Sequence, residues 1–117
     1  MRLEALREYC LSFPHATEDV QWENDLLFRI GGKIFVGASL NNEPDCHFSF
    51  KCTPEEFAEL IERDGIVPAP YVARYFWVMV EKPDALTASE VRRLIRESYK
   101  MVSAKLPARI RKQLDLL

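Results

Sequence analysis

Between Asp25 and Cys52 the chain alternates apolar and polar residues three times over, and that period of two constrains the fold more than anything else in it. From Asp25 to Ile30, Leu26, Phe28 and Ile30 oppose Leu27 and Arg29. Lys33 to Leu40 puts Ile34, Val36, Ala38 and Leu40 on one face, and Asp45 to Cys52 sets Cys46, Phe48, Phe50 and Cys52 against His47, Ser49 and Lys51. Successive strand residues point to opposite sides, so this spacing predicts strands with one buried face. Gly31-Gly32 supplies the positive φ that a two-residue hairpin needs, and Asn41-Asn42-Glu43-Pro44 reads as a second turn. The expectation is an antiparallel sheet covered on a single side.

Helical signals bracket these strands. Leu3, Leu6, Cys10 and Phe13 recur near the 3.6 period over residues 2–12, and Pro14 stops that helix. His15 to Asp19 reads as a polar connection. Thr53-Pro54-Glu55-Glu56 has a capping hydroxyl, proline at the first helical position and acids in the first turn, with Phe57, Leu60 and Ile61 turned to the core. Pro68 and Pro70 punctuate a loop, and Tyr75 to Glu81 is strand-like with both faces apolar. Thr87-Ala88-Ser89-Glu90 forms a capping box before a long helix carrying Val91, Leu94, Ile95, Ser98 and Val102 on one stripe; Pro107 ends it. The 117 residues fit one domain, 1–117, with ordinary globular composition.

Several function classes are excluded at this stage. The three cysteines, Cys10, Cys46 and Cys52, make neither a disulfide framework nor a zinc motif, so no metal or cofactor is expected. The charged first turn is not a signal peptide and no apolar run reaches membrane length, which points to the cytoplasm, with no membrane partner. GxSxG, P-loop, HExxH and GxGxxG motifs are missing, and Cys46 and His47 point to opposite faces of a strand. The expectation is a binding protein, not an enzyme.

Two residue sets could carry binding. On the closing helix, Arg92, Arg96, Lys100 and Arg93 fall at about 100°, 140°, 180° and 200° from Val91, a basic stripe opposite the apolar one. Arg109, Arg111 and Lys112 extend it. Residues 1–82 carry 8 basic and 14 acidic side chains, whereas 83–117 carry 8 and 4, so a polyanion such as DNA would meet this end first, weakly and in a salt-sensitive way. The second set is Lys33, Lys51, Tyr71 and Trp77, which with His47 would line a shallow groove if the sheet's outer face is open. Cations beside aromatics suit stacked bases or a peptide. An exposed patch at Tyr75, Trp77 and Met79 would mark a protein- or peptide-binding surface in a monomer or weak dimer.

A set of short segments, in order, resembles the MmcQ/YjbR family: Ala16-Thr17-Glu18-Asp19, Gly32-Lys33-Ile34-Phe35, Phe50-Lys51-Cys52, Pro68-Ala69-Pro70-Tyr71, Trp77, Glu97-Ser98-Tyr99 and Leu106-Pro107. The resemblance runs from about residue 10 to 112. It implies an α+β, two-layer α/β sandwich with an antiparallel sheet in the order α-β(3)-α-β(2)-α, layered like the type III secretion chaperones. Periodicity reaches the same order except for one strand, for which Ile66-Val67 is the candidate. Members are commonly labelled DNA-binding, with a double-wing arrangement of strands and helices. Fold alone does not fix that role.

Overall fold

The computed structural model describes residues 1–42 and 45–115. Helix α1 (Leu3–Leu11) leads into four strands, β1 (Thr17–Gln21), β2 (Asp25–Ile30), β3 (Lys33–Ser39) and β4 (Phe48–Lys51). Then come α2 (Pro54–Leu60), β5 (Ile66–Pro68), β6 (Trp77–Val80), the long α3 (Ala88–Ala104) and a short α4 (Ala108–Gln113). The strands form one antiparallel sheet in the order β1-β2-β3-β4-β6-β5. Helix α3 lies across β2, β3 and β4, and α2 packs at the β5–β6 end.

The α+β fold and the single covered sheet face agree with the sequence pattern. The expected β5 is present at Ile66–Pro68. One strand was not expected: Thr17–Gln21, within and beyond the segment read as a connection, pairs with β2 along its full length. It is an edge strand with a carboxylate turned to each face, and it shows no apolar period. Glu18 and Asp19 are held by Arg7 and Arg29 instead. The first strand group therefore has four members, not three.

Beneath α3 the sheet buries Phe28, Ile30, Val36, Phe50 and Val78, each fully enclosed, against Leu6, Leu94 and Ile95. The caps expected from sequence are formed: Thr53 accepts from Glu56 N, and Thr87 and Glu90 complete a reciprocal box. Gly31 and Gly32 both take positive φ in the β2–β3 turn, as a primed hairpin requires. Of the second expected turn, Leu40–Asn42 is a 3₁₀ turn; Glu43 and Pro44 lie outside the described residues.

A bulge corrects the reading of β3. The register with β2 shifts between Phe28 and Arg29, so Arg29 pairs with Ile34 while Phe28 pairs with Val36. Phe35 is the extra residue. Phe35 and Val36 are consecutive yet both completely buried, and Ile34 is turned to the outer face, away from Val36 and Ala38. At the bulge the β3–β4 ladder stops at Val36–Phe50, and the fully buried Ser98 of α3 continues it. Its hydroxyl donates to Phe35 O (2.7 Å) and accepts from Lys51 N (3.1 Å). One residue on, Tyr99 stacks on Phe13 at 4.7 Å and donates to Pro14 O (2.7 Å). Two residues that carried the family resemblance are thus structural joints.

Candidate binding groove on the open sheet face

Opposite the helices the sheet carries a groove with a cavity volume of about 600 Å³. The ladder register arranges its floor in rows. Asp25 and Ser39 form the first row with His47 beside them; Leu27, Gly37, Ser49 and Met79 form the second; Ile34 and Trp77 stand in the third. The floor is mainly apolar, with its polar groups gathered toward the first row. Gly37 stands at the centre of the floor. A Cβ there would meet Ser49 Oγ at 3.2 Å and Leu27 Cδ2 at 3.5 Å, so packing against the sheet does not demand glycine. A glycine inside a central strand weakens it, and commonly marks a place where another group approaches closely.

Two aromatic side chains stand at the rim. Trp22 belongs to the β1–β2 turn, at the end of the face that bears Asp25. Tyr71 follows β5, near the end that bears Trp77. Trp22 is 72% exposed and Tyr71 99% exposed. Both take left-handed backbone conformations, with φ of 51° and 68°. Bulky residues rarely do so, and such strain of about 1–3 kcal/mol persists only where the surroundings hold it. The surroundings are visible here. Leu40 N donates to Asn24 O (2.8 Å), tying the Trp22 turn to the end of β3. Ala69 N donates to Trp77 O (3.0 Å), and Cys52 N to Phe76 O (2.9 Å), which ties down the Tyr71 loop.

Of the four groove candidates from sequence, the structure brings Tyr71 and Trp77 together with His47, and leaves out the two lysines. Lys33 sits exposed beside the β2–β3 hairpin. Lys51 faces Trp77 across the ladder, but its amine donates to Tyr75 O at 2.6 Å and braces the loop. Burial there, and secondarily the charge of Lys105, lowers its pKa. The expected patch divides as well: Trp77 and Met79 line the groove, whereas Tyr75 lies in a 3₁₀ turn with Arg74 over its ring. Phe76, at the end of that turn, is left-handed and partly exposed, and meets Phe57 edge to face. The sequence reading missed Trp22, Gly37, Leu27 and Asp25. A tryptophan isolated among polar residues was the available signal for the first.

The basic stripe on α3 is interrupted. Arg93 donates to Glu56 of α2 at 2.9 Å. Arg92, Arg96 and Lys100 are exposed, with no carboxylate within ion-pair distance among the described residues. On α4, Arg109 and Lys112 are exposed, whereas Arg111 is half-buried with its Nε enclosed and unpartnered.

A family model described as YjbR matches residues 11–101. The chain belongs to the YjbR family. Among solved structures it is similar to protein DR2400 of Deinococcus radiodurans, described as a DUF419 domain, with 26% identity and a TM-score of 0.87. That match covers 99% of this chain and 89% of the other. A protein from Pseudomonas syringae has the same fold, with a TM-score of 0.71 and 22% identity, over 86% of this chain and 98% of that one. No curated protein matches. Among the described residues no group of three metal-binding side chains occurs, and no helix is long and apolar enough to cross a membrane.

Proposed function

We propose that this YjbR protein is a non-catalytic cytosolic binding protein that takes a short extended segment of a partner polypeptide into the groove on its open sheet face. The observation that carries this is the apolar floor between Trp22 and Tyr71, two exposed aromatics whose left-handed backbones place them at its rim. The shape favours a chain over a compact ligand. The floor runs from β2 to β6, three inter-strand steps of about 4.8 Å, and the rims lie near opposite edges of the sheet; an extended peptide at about 3.3 Å per residue spans this with roughly five to seven residues. Alternate side chains would point down to Leu27, Ile34 and Met79, and the Ser39, His47 and Ser49 side chains would meet main-chain polar groups.

The protein carries its own reporter, because its only two tryptophans, Trp22 and Trp77, both line the groove. Titration with the acetylated heptapeptide Thr-Val-Thr-Phe-Thr-Val-Thr should blue-shift the emission, while Thr-Ser-Thr-Ser-Thr-Ser-Thr should not. Gly37→Leu fills the floor and should abolish the shift with the fold retained; Tyr71→Asn relieves the backbone strain and should weaken binding without loss of stability. Equal responses to the two peptides, or undiminished binding by Gly37→Leu, would refute the proposal.

A second reading rests on α3. Arg92, Arg96 and Lys100 recur every fourth residue, about 6 Å apart along the helix, as free cations on its outer side. They suit the phosphate backbone of duplex DNA, bound weakly because the remainder of the chain is acidic. Retention of the protein on immobilised duplex DNA at 50 mM and 200 mM salt should fall with salt and fall again in the Arg92→Glu/Arg96→Glu/Lys100→Glu variant. Identical elution of wild type and variant removes this reading and leaves the groove untouched.

A further inference from the structure

The charge around the groove distinguishes its two ends. In the first row the Asp25 carboxylate lines the cavity beneath the turn that carries Trp22, and no cation lies within ion-pair distance of it among the described residues. The neighbouring Glu23 is exposed in that same turn. Arg29, on the same face of β2, is already committed to Asp19 and to Gly32 O. His47 lines the cavity beside this row, its carbonyl accepting from Ser39 N. At the opposite end, the cations Lys51 and Arg74 lie beside the Tyr75 turn: the Lys51 amine bonds Tyr75 O, and Arg74 stacks on the Tyr75 ring. The groove lining is therefore anionic at the Trp22 end, while the cations Lys51 and Arg74 stand outside the lining, beyond the other end.

Resting on the groove reading above, we infer that the partner segment is basic as well as apolar, with a lysine or arginine seated between the Trp22 ring and the Asp25 carboxylate. An indole face and an unpaired carboxylate at the lip of an apolar groove satisfy both halves of such a side chain. The alkyl stem lies along the ring, while the charged head meets the quadrupole and the carboxylate together. An acidic segment meets only repulsion at this end. The arrangement also sets direction, since a peptide reversed in the groove would carry its cation away from Asp25.

The test compares three acetylated heptapeptides that differ at the first position of the same apolar sequence, Lys-Val-Thr-Phe-Thr-Val-Thr against its Gln and Glu counterparts, at pH 7.5 by tryptophan emission. The lysine peptide should bind about fivefold tighter than the glutamine one, the combined size of a half-exposed ion pair and a cation–π contact, and the glutamate peptide weakest. Asp25→Asn should reduce the Lys-to-Gln ratio to near one while the glutamine peptide binds as before, and 1 M salt should narrow the ratio in wild type. Trp22→Ala should narrow it too, read from Trp77. If the three peptides bind equally and Gly37→Leu still blocks them, the basic partner is overturned and the groove stands. If none binds, or Gly37→Leu leaves binding unchanged, the groove itself is overturned.

Discussion

Ser98→Ala removes a single oxygen and should unfold the protein about 10 °C earlier. The hydroxyl links Phe35 O and Lys51 N at the point where the bulge has parted β3 from β4, and Ser98 is fully buried. Its loss strands one acceptor and one donor, each costing about 1–3 kcal/mol when buried without a partner. Alanine's higher helix propensity offsets about 0.5 kcal/mol of this, leaving a net loss of about 2.5 kcal/mol. A chain of 117 residues has an unfolding entropy near 0.25 kcal/mol/K, which converts that loss to about 10 °C. Urea titration and thermal melts followed by circular dichroism measure it directly. Ser103→Ala is the matched control, because that hydroxyl only back-bonds to Lys100 O on the same helix, and it should change stability by less than about 0.5 kcal/mol. If Ser98→Ala melts with Ser103→Ala, then β3 and β4 close onto each other without the serine, and the joint assigned to it does not exist.

Other outcomes follow from the same physical chemistry. Glu90 holds Arg63 and caps Thr87 N, and these contacts, the Arg63 hydrogen bond first, lower its pKa to about 2. Its stabilisation is therefore present above the ordinary carboxylate pKa near 4.5 and fades as pH falls toward 2. Solvent screening keeps it to about 1 kcal/mol, so Glu90→Gln should differ from wild type in urea midpoint at pH 7 and coincide with it by pH 2. Gly31→Ala should cost about 2 kcal/mol, because φ is +57° and the new methyl would lie 2.7 Å from Leu106 Cδ1, whereas Gly32→Asn, at φ +83° with open space around it, should cost under about 1; thermal melts separate the two. Burial raises the pKa of Cys10 and pushes Cys52 up to about 11, and Cys46 is enclosed as well, so a disulfide reagent at pH 8 should label none of the three until denaturant is added.

The legible part of the fold was the part that repeats. Alternation located β2, β4 and β6, and capping chemistry located α2 and α3, because a buried face and a helix start each impose residue types at fixed spacing. What escaped was β1, whose edge position removes the apolar period, and the bulge at Phe35. A bulge shows only as a phase change of one residue, and Ile34-Phe35-Val36 is apolar on either side of it. That single slip shapes the open face of the sheet: with β3 in unbroken alternation Ile34 would be in the core, and the groove would lose part of its third row.

The groove was half legible for a similar reason. Apart from Ile34, which the bulge turns over, its strand-borne members fall on the outer face by alternation, and the apolar character of both faces of residues 75–81 signalled something unusual there. Its depth could not be read, since Gly37 is informative only once Leu27 and Ser49 are known to flank it. Nor could its ends, because Trp22 and Tyr71 reach the face through turns whose conformations local propensity opposes. Among the described residues, left-handed backbone outside glycine occurs at Trp22 and Glu23 in the first of these segments, at Tyr71 and Phe76 in the second, and elsewhere only at His15 and Asp115. In a chain whose strand pattern, caps and hairpin glycines point to one fold, such paired conflict at the rim of a single cavity is the strongest physical reason for locating the function there, ahead of the helix whose charges follow ordinary solvation.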